Sequence, residues 1–134
     1  MESSISILNR PHERKRGLTI NRKTGRIFLR SCPCRLLNLH HGDKIYFVYY
    51  EDHQMYLFKG GDFPDGITLF GRVGQLHGNS INTVRHLSTL IHDVPPHTTE
   101  IDLVVANQIT NINIDNQIFS ALAVINRADV YHCR

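Results

Sequence analysis

A single run of structure-breaking residues divides this chain into two stretches. From Gly60 to Gly66 the chain reads Gly-Gly-Asp-Phe-Pro-Asp-Gly, and neither a helix nor a strand continues through such a segment. A chain of 134 residues is the size of one domain, or of two very small halves that share a core. The order of elements on the two sides of the break therefore decides which of these the chain can form.

The first stretch predicts short strands and one short helix. Its strands are alternating or rich in aromatic and β-branched residues, and its turns carry Asn, Gly and Asp. Ser31 is the predicted N-cap of the helix, Pro33 is tolerated in its first turn, and Leu36, Leu37 and Leu39 form its buried face. The predicted strands are Leu18–Ile20, Arg26–Arg30, Ile45–Tyr50 and Met55–Phe58, with turns at Asn21–Gly25, His40–Asp43 and Glu51–Gln54.

The second stretch repeats the order of the first from the strand before the helix onward: strand, helix, turn, strand, turn, strand. We therefore predict a mostly β fold with short helices, of the α+β class, in which two halves share one core. A non-repeating α+β domain is the alternative, because few residues are identical between the halves. The predicted elements are a strand at Ile67–Val73, a loop at Gly74–Ser80, a helix at Asn82–Ile91 capped by Ser80, a strand at Ile101–Val105 and a hairpin of Ile109–Ile114 with Ile118–Ile125.

Composition excludes several classes of protein. A hydrophobic fraction of 41% is sufficient for a real core, which argues against wholesale disorder. No apolar run approaches the ~20 residues that span a bilayer, and the N-terminus lacks the pattern of a signal peptide. Three cysteines are an odd count, which argues against a disulfide framework. We therefore expect a cytoplasmic protein with no membrane segment.

Charge is distributed unevenly along the chain. Residues 1–35 carry a net charge of +7, whereas residues 36–134 carry a net charge of −4. Such a basic pole is typical of a protein that presents one face to a polyanion. A solvated basic tail would give the same count, but Arg26, Arg30 and Arg35 lie inside the predicted strand and helix. The nine basic residues are Arg10, Arg14, Lys15, Arg16, Arg22, Lys23, Arg26, Arg30 and Arg35.

Residues 18–59 carry a recognisable pattern. A Gly-Arg pair at Gly25-Arg26 opens an alternating strand, Arg35 to Leu39 forms a helix and its exit, and Gly42 to Phe47 enters the next strand. Tyr56 to Lys59 supplies the last strand. This pattern resembles the AbrB/MazE/SpoVT-type swapped-hairpin DNA-binding family. Two positions depart from it, because Arg30 stands where the family commonly has Pro and Cys34 where it often has a second Arg.

The resemblance implies a fold, a partner and a set of contact residues. It implies an AbrB-like swapped-hairpin β-barrel, formed by a homodimer or by two tandem AbrB-like halves as an intrachain pseudo-dimer. It also implies contact with double-stranded DNA through the basic first half. The implied DNA-binding residues are Arg26, Arg35, Arg30, Arg22 and Lys23, together with Arg16, Lys15 and Arg14 of the arm.

The same residues make physical sense apart from the family. Alternation along the second strand places Ile27 and Leu29 on one face and Arg26, Phe28 and Arg30 on the other. Arginine can bind phosphate oxygens or the O6 and N7 atoms of guanine, so such a face can position and read DNA. The second half has few basic residues (Arg72, Arg85, Arg127), and we do not expect it to touch DNA equally.

Other constellations point less clearly to chemistry. Cys32-Pro33-Cys34 with His40 and His41 suggests zinc, but Cys-x-Cys is tighter than the usual spacing of paired zinc ligands. The nine histidines are dispersed, and no nucleophile, base and oxyanion site can be assembled. We therefore predict a non-enzymatic transcriptional regulator without cofactor or metal. A protein-interaction or structural module, such as an antitoxin-like or assembly partner, is the alternative.

These predictions assign a role to each part of the chain. Residues 1–17 are a flexible basic arm, 18–60 the AbrB-like half, 61–66 a linker, 67–127 a divergent β-α-β-β half and 128–134 a tail.

Overall fold

The computed structural model describes residues 17–50, 54–72, 74–89 and 97–128, and the side chains as far as residue 125. Its elements are mainly short strands, as the alternating sequence predicts. The strands are β1 (Gly17–Asn21), β2 (Arg26–Leu29), β3 (Lys44–Tyr49), β4 (Met55–Lys59), β5 (Ile67–Thr68), β6 (Leu76–Asn79), β7 (Glu100–Val105), β8 (Thr110–Ile114) and β9 (Gln117–Ala128), and the helices are α1 (Ser31–Leu36) and α2 (Ile81–Thr89).

All described strands join one antiparallel, nearly closed, barrel-like sheet. The strand order is β5-β3-β4-β9-β7-β1-β2-β6, and β8 adds to β9 outside this path. A bridge between Phe70 and His77 links the chain after β5 to β6 and brings the two ends of the path together. A mostly β fold with short helices is therefore confirmed.

The strands of the first stretch do not form a sheet of their own. The hairpin of β1 and β2 is flanked by β7 and β6, and the hairpin of β3 and β4 is flanked by β5 and β9. Every one of these flanking strands comes from the chain beyond Gly60. Both sides of the Gly60–Gly66 break are thus required to complete the sheet.

Alternating side chains build the main core. Leu18 and Ile20 of β1 face Ile27 and Leu29 of β2, and all four are buried. A second cluster of buried side chains is largely aromatic and surrounds Phe58, whose ring lies 4.9 Å from that of Phe119. Burial of one such ring contributes about 1.5 to 3 kcal/mol to folding.

The segment predicted as a linker is packed onto this aromatic cluster. Phe63 is half-buried, and its ring lies 5.6 Å from that of Tyr46. The Tyr46 hydroxyl donates to the carbonyl of Gly61 over 2.8 Å. The glycines and proline end the flanking strands, while Phe63 holds the segment against the sheet.

Strand β6 lies where the sequence predicted a loop, so that prediction is wrong. Leu76-His77-Gly78-Asn79 has little strand propensity, but Leu76 is fully buried opposite Leu29. Gly78 is required there because a Cβ would lie 2.6 Å from Cγ2 of Ile67. The strand predicted at Ile67–Val73 is also too long, since β5 ends at Thr68.

The two helices differ in how they begin. Ser31 was expected to be an N-cap and is instead the first helical residue; Arg30 occupies the cap position without a side-chain cap bond. The extended Arg30 backbone continues from β2, and Arg30 is the single residue between strand and helix. Ser80 does cap α2, because its Oγ accepts the Thr83 N–H over 3.2 Å. Leu90 and Ile91 of the predicted second helix lie outside the described residues.

The β8–β9 hairpin has a blocked outer edge. Asp115 and Asn116 form its turn with positive φ values of 51° and 66°, as tight hairpins require. Within the described residues β8 pairs with β9 alone. The Tyr50 hydroxyl donates to the carbonyl of Asn113 and accepts its N–H, at 3.1 and 3.0 Å. One side chain thus occupies both peptide groups of Asn113.

Candidate nucleic-acid interface

The β1–β2 turn is rigid. Asn21 Oδ1 accepts the N–H groups of Lys23 and Thr24, over 2.9 and 3.0 Å. Gly25 has a φ of +82°, which L residues rarely adopt, and its carbonyl accepts the Ser80 N–H over 2.9 Å. The turn is therefore tied to the start of α2, and Lys23 is exposed on a fixed support.

The outer face of β2 presents the side chains that alternation predicts. Arg26 is exposed and Phe28 half-buried, whereas Ile27 and Leu29 between and beyond them are buried. A shallow hollow of about 220 Å³ opens on this face. Its lining residues are Thr19, Asn21, Arg26, Phe28, Arg30 and Glu100.

Arg30 is engaged by neighbours in this hollow. Its Nη2 donates to Thr19 Oγ1 over 2.9 Å and lies 3.6 Å from Asp102 Oδ1, while Thr19 donates to the same carboxylate over 2.6 Å. The guanidinium carbon lies 5.2 Å from the centre of the Phe28 ring. These contacts fix Arg30 and offset part of its charge, so Arg26 is the less encumbered cation of the hollow.

Glu100 introduces a negative charge beside these arginines. It is exposed at the start of β7, opposite Asn21 in the strand register. A carboxylate at this position repels a phosphate that approaches Arg26. Glu100 could not be placed beside Arg26 from the sequence, because 74 positions separate Arg26 from Glu100 along the chain.

Arg35 does not line this hollow. It is exposed on α1, where its Nη2 lies 3.4 Å from Sγ of Cys32. Of the three arginines in the predicted strand and helix, Arg26 and Arg30 line the hollow and Arg35 does not. The arm residues Arg14, Lys15 and Arg16 lie outside the described residues.

A second basic hollow lies on the other side of the turn. Arg22 lines it together with Arg85 of α2, and Arg22 Nη1 donates to the carbonyl of Thr98 over 3.1 Å. Arg85 was not among the predicted DNA-binding residues, because the second half was not expected to touch DNA equally. Its helical position gave no link to Arg22, which only the packing of the turn on α2 provides.

Cys34 belongs to the core. Its side chain is buried, and its Sγ lies 3.8 Å from the carbonyl of Leu29. Burial raises the pKa of the Cys34 thiol, and hydrogen bonds to the backbone of Gly74 and Leu76 counter this in part. A protonated, buried thiol is a poor nucleophile and a poor metal ligand. Among the described residues, no cluster of three or more His, Cys, Asp or Glu could hold a metal ion.

Comparisons with protein-family models, curated proteins and solved structures found no match to this chain. In the described part of the chain, neither helix has the length and apolar character needed to cross a membrane. The function is therefore inferred from the residues of the candidate interface.

Proposed function

We propose that this chain is a DNA-binding protein, a transcriptional regulator that contacts double-stranded DNA through the outer face of β2 and the β1–β2 turn. The observation that carries the proposal is the exposed Arg26 on an ordered strand, flanked by Phe28 and by the exposed Lys23. Cations on a rigid scaffold can fix the register of a protein on DNA, which a frayed tail cannot do. Most of the basic pole found in the sequence belongs to this scaffold or precedes it directly.

Strand pairing supports a swapped-hairpin arrangement of two halves. When the sheet is treated as a ring closed through the Phe70–His77 bridge, exchanging β1, β2, β3 and β4 with β5, β6, β7 and β9 leaves the strand order unchanged. Pairs β2–β6 and β4–β9 map onto themselves, and β1–β7 maps onto β3–β5. We therefore propose an intrachain pseudo-dimer, in which each half inserts its hairpins between those of the other.

Backbone hydrogen bonds follow the same exchange. The bond from the Arg22 N–H to the Thr99 carbonyl corresponds to the bond from Leu69 to Asp43, and both measure 2.8 Å. Tyr50 to Gln54 over 2.9 Å likewise corresponds to Ala106 to Ala123 over 2.8 Å. In this scheme β8 and the start of β9 are an insertion between β7 and the rest of β9, at the position that corresponds to the turn between β3 and β4.

The geometry suggests different roles for the cations. Arg26 can reach a phosphate or the edge of a guanine, because no partner of its side chain lies among the described residues. Lys23 at the turn suits a backbone phosphate, which adds affinity and salt dependence without sequence choice. Arg30 contributes less charge and positions Phe28, since it is already paired with Asp102.

Titration of duplex DNA with the Arg26→Ala variant tests the proposal. We expect the variant to lose about tenfold or more in affinity for a duplex selected from a random library, since a bidentate arginine contact is worth ~1–3 kcal/mol. Its melting temperature should match the wild type, because Arg26 is exposed. Gln117→Glu on the β8–β9 hairpin is the control, since it lowers the net charge equally at an exposed site.

Affinity should also fall steeply as salt rises from about 50 to about 200 mM, because counterions are released from each contacted phosphate. Absence of duplex binding at low salt, or binding that does not respond to salt, would contradict the proposal. Equal losses in Arg26→Ala and Gln117→Glu would remove β2 from the interface.

A protein-interaction module is the second candidate, and one observation favours it. Ile118 and Ile109 of the β8–β9 region are 61% and 45% exposed. Exposed apolar side chains on a projecting hairpin are typical of a protein contact. One stoichiometric protein partner that is recovered with the wild type, lost with Ile118→Ser and accompanied by no nucleic acid would favour this candidate.

A further inference from the structure

The second basic hollow has a volume of about 400 Å³ and two arginines in its lining. Arg22 enters from the end of β1, and the remaining lining residues lie on one face of α2. Among the described residues, no Asp or Glu lines this hollow. The lining residues are Arg22, Val84, Arg85, Ser88 and Thr89.

The packing of the turn on α2 brings Arg22 and Arg85 into the lining of one hollow. The Gly25 carbonyl accepts the Ser80 N–H over 2.9 Å, and a Cβ on Gly25 would lie 2.7 Å from Cα of Ile81. Arg22 is fixed further by its own N–H, which donates to the Thr99 carbonyl over 2.8 Å. Two guanidinium groups in a lining with no acid among its described residues give the hollow a positive potential, which attracts an anion.

The remaining polar groups of the hollow indicate what the ligand must supply. Ser88 Oγ donates to the Val84 carbonyl and Thr89 Oγ1 to the His86 carbonyl, each over 2.7 Å. These hydroxyl protons are therefore used within the helix, which leaves the guanidinium groups as the principal donors. A ligand with several acceptor oxygens and negative charge fits this set, and phosphate is one of the groups that the guanidinium fork binds in bidentate fashion.

We propose that Arg22 and Arg85 bind a phosphate group of the DNA backbone, so that the second half of the chain contributes directly to the interface. This inference rests on the proposed function and extends it to Arg85, which was not among the predicted DNA-binding residues. Asn21 lines the first hollow and Arg22 the second, so the two hollows flank the same turn. A duplex bound at Arg26 can then also contact Arg22 and Arg85 on the other side of the turn.

The position of Arg85 within its helix agrees with the exchange of halves. Arg85 is the fifth residue of α2, as Arg35 is the fifth residue of α1. Each helix also follows directly from one strand of the central β2–β6 pair. Both halves thus place an exposed arginine at the same step of the helix.

Salt dependence of duplex binding tests the inference. Arg85→Gln is the primary variant, because Arg85 is exposed and its loss should leave the melting temperature unchanged. With a mixed-sequence duplex, the plot of log affinity against log salt concentration has a negative slope. We expect this slope to become less steep by about 0.9, the value for one lost phosphate contact. Arg22→Gln should give a similar change, and the double variant should lose less than the sum of the two. Gln117→Glu, with the same change in net charge, should leave the slope unaltered.

The outcomes separate this inference from the proposed function. If the wild type binds the duplex and Arg85→Gln has the same slope as Gln117→Glu, the phosphate contact is overturned while DNA binding stands. If the wild type binds no duplex, both fail. Titration with inorganic phosphate distinguishes a free-anion site: phosphate binding that Arg85→Gln abolishes, with an unchanged duplex slope, would also overturn the assignment to DNA.

Discussion

Individual charges determine how the face of β2 meets a polyanion. Arg26 is exposed, Arg30 is paired with Asp102, and Glu100 lines the same hollow. The pairing of Arg30 with Asp102 was not predictable from the sequence, because Asp102 reaches this face only through the register of β7 with β1. The alternation of Arg26, Phe28 and Arg30 was predictable, because a strand with one buried face requires it.

Glu100→Gln should strengthen duplex binding. Removing the carboxylate takes away a repulsion at the hollow, and we expect an affinity gain of about two- to fivefold at low salt, the size typical of one exposed charge interaction. The gain should shrink as salt rises, since exposed charges are screened. Fluorescence anisotropy at several salt concentrations measures it. Asp115→Asn, the same charge change in the β8–β9 turn, is the control, and an equal gain in both variants would show a mere net-charge effect.

At the scale of elements, the β1–β2 turn is the part on which both hollows depend. It carries Lys23, separates the two hollows and rests on the first residues of α2. Gly25 meets two requirements there, a positive φ and space for the backbone of Ile81. A residue with a side chain fails on both counts.

Gly25→Ala should therefore destabilise the chain more than Gly42→Ala. Gly42 has a comparable φ of +92°, but nothing lies within 4 Å of a Cβ placed there. We expect Gly42→Ala to lower the free energy of unfolding by ~1 kcal/mol, the conformational cost alone. Gly25→Ala adds the clash with Ile81 and should lower it by about 2 kcal/mol or more. Chemical denaturation measures both, and equal losses would show that the turn does not bear on α2.

The strands and helices differed in how well their residues predicted them. Strands with an apolar stripe, such as β1 and β7, were predicted to within a residue or two, because burial and alternation coincide in them. Strand β6 was missed because its position is set by its neighbours: Leu76 fits opposite Leu29 and Gly78 leaves room for Ile67. The Ser31 cap was misjudged because α1 begins one residue earlier, and Arg30, the single residue between β2 and α1, occupies the cap position.

At the scale of the whole molecule, the halves cannot be separated without breaking the sheet. The β1–β2 hairpin lies between strands of the second stretch, and so does the β3–β4 hairpin. The sequence predicted a shared core, since neither side of the break is long enough for its own. It did not predict the length of β9, which extends from the β8 hairpin to β4 and β7.

Fragments cut after Gly60 should not fold alone as monomers. In a fragment of residues 1–60, the β1–β2 and β3–β4 hairpins keep their internal pairing but lose every neighbouring strand of the second stretch. Isolated two-stranded hairpins are at best marginally stable. Equimolar mixing with residues 61–134 should restore the native circular dichroism spectrum and give a one-to-one complex by sedimentation. A monomeric 1–60 fragment that unfolds cooperatively would refute the shared sheet.

The hydroxyl of Tyr50 has a consequence for how separate copies of this chain behave together. Strand β8 is made of Thr, Asn and Ile with no charged residue, a composition suited to cross-β fibres, which grow when an incoming strand takes unpaired peptide groups. Both peptide groups of Asn113 are already bonded to the phenolic oxygen, so no continuous ladder is available at the middle of that edge. Tyr50 therefore blocks the pairing of a further strand at Asn113, in the middle of the described β8 edge, and so opposes fibre growth through this hairpin.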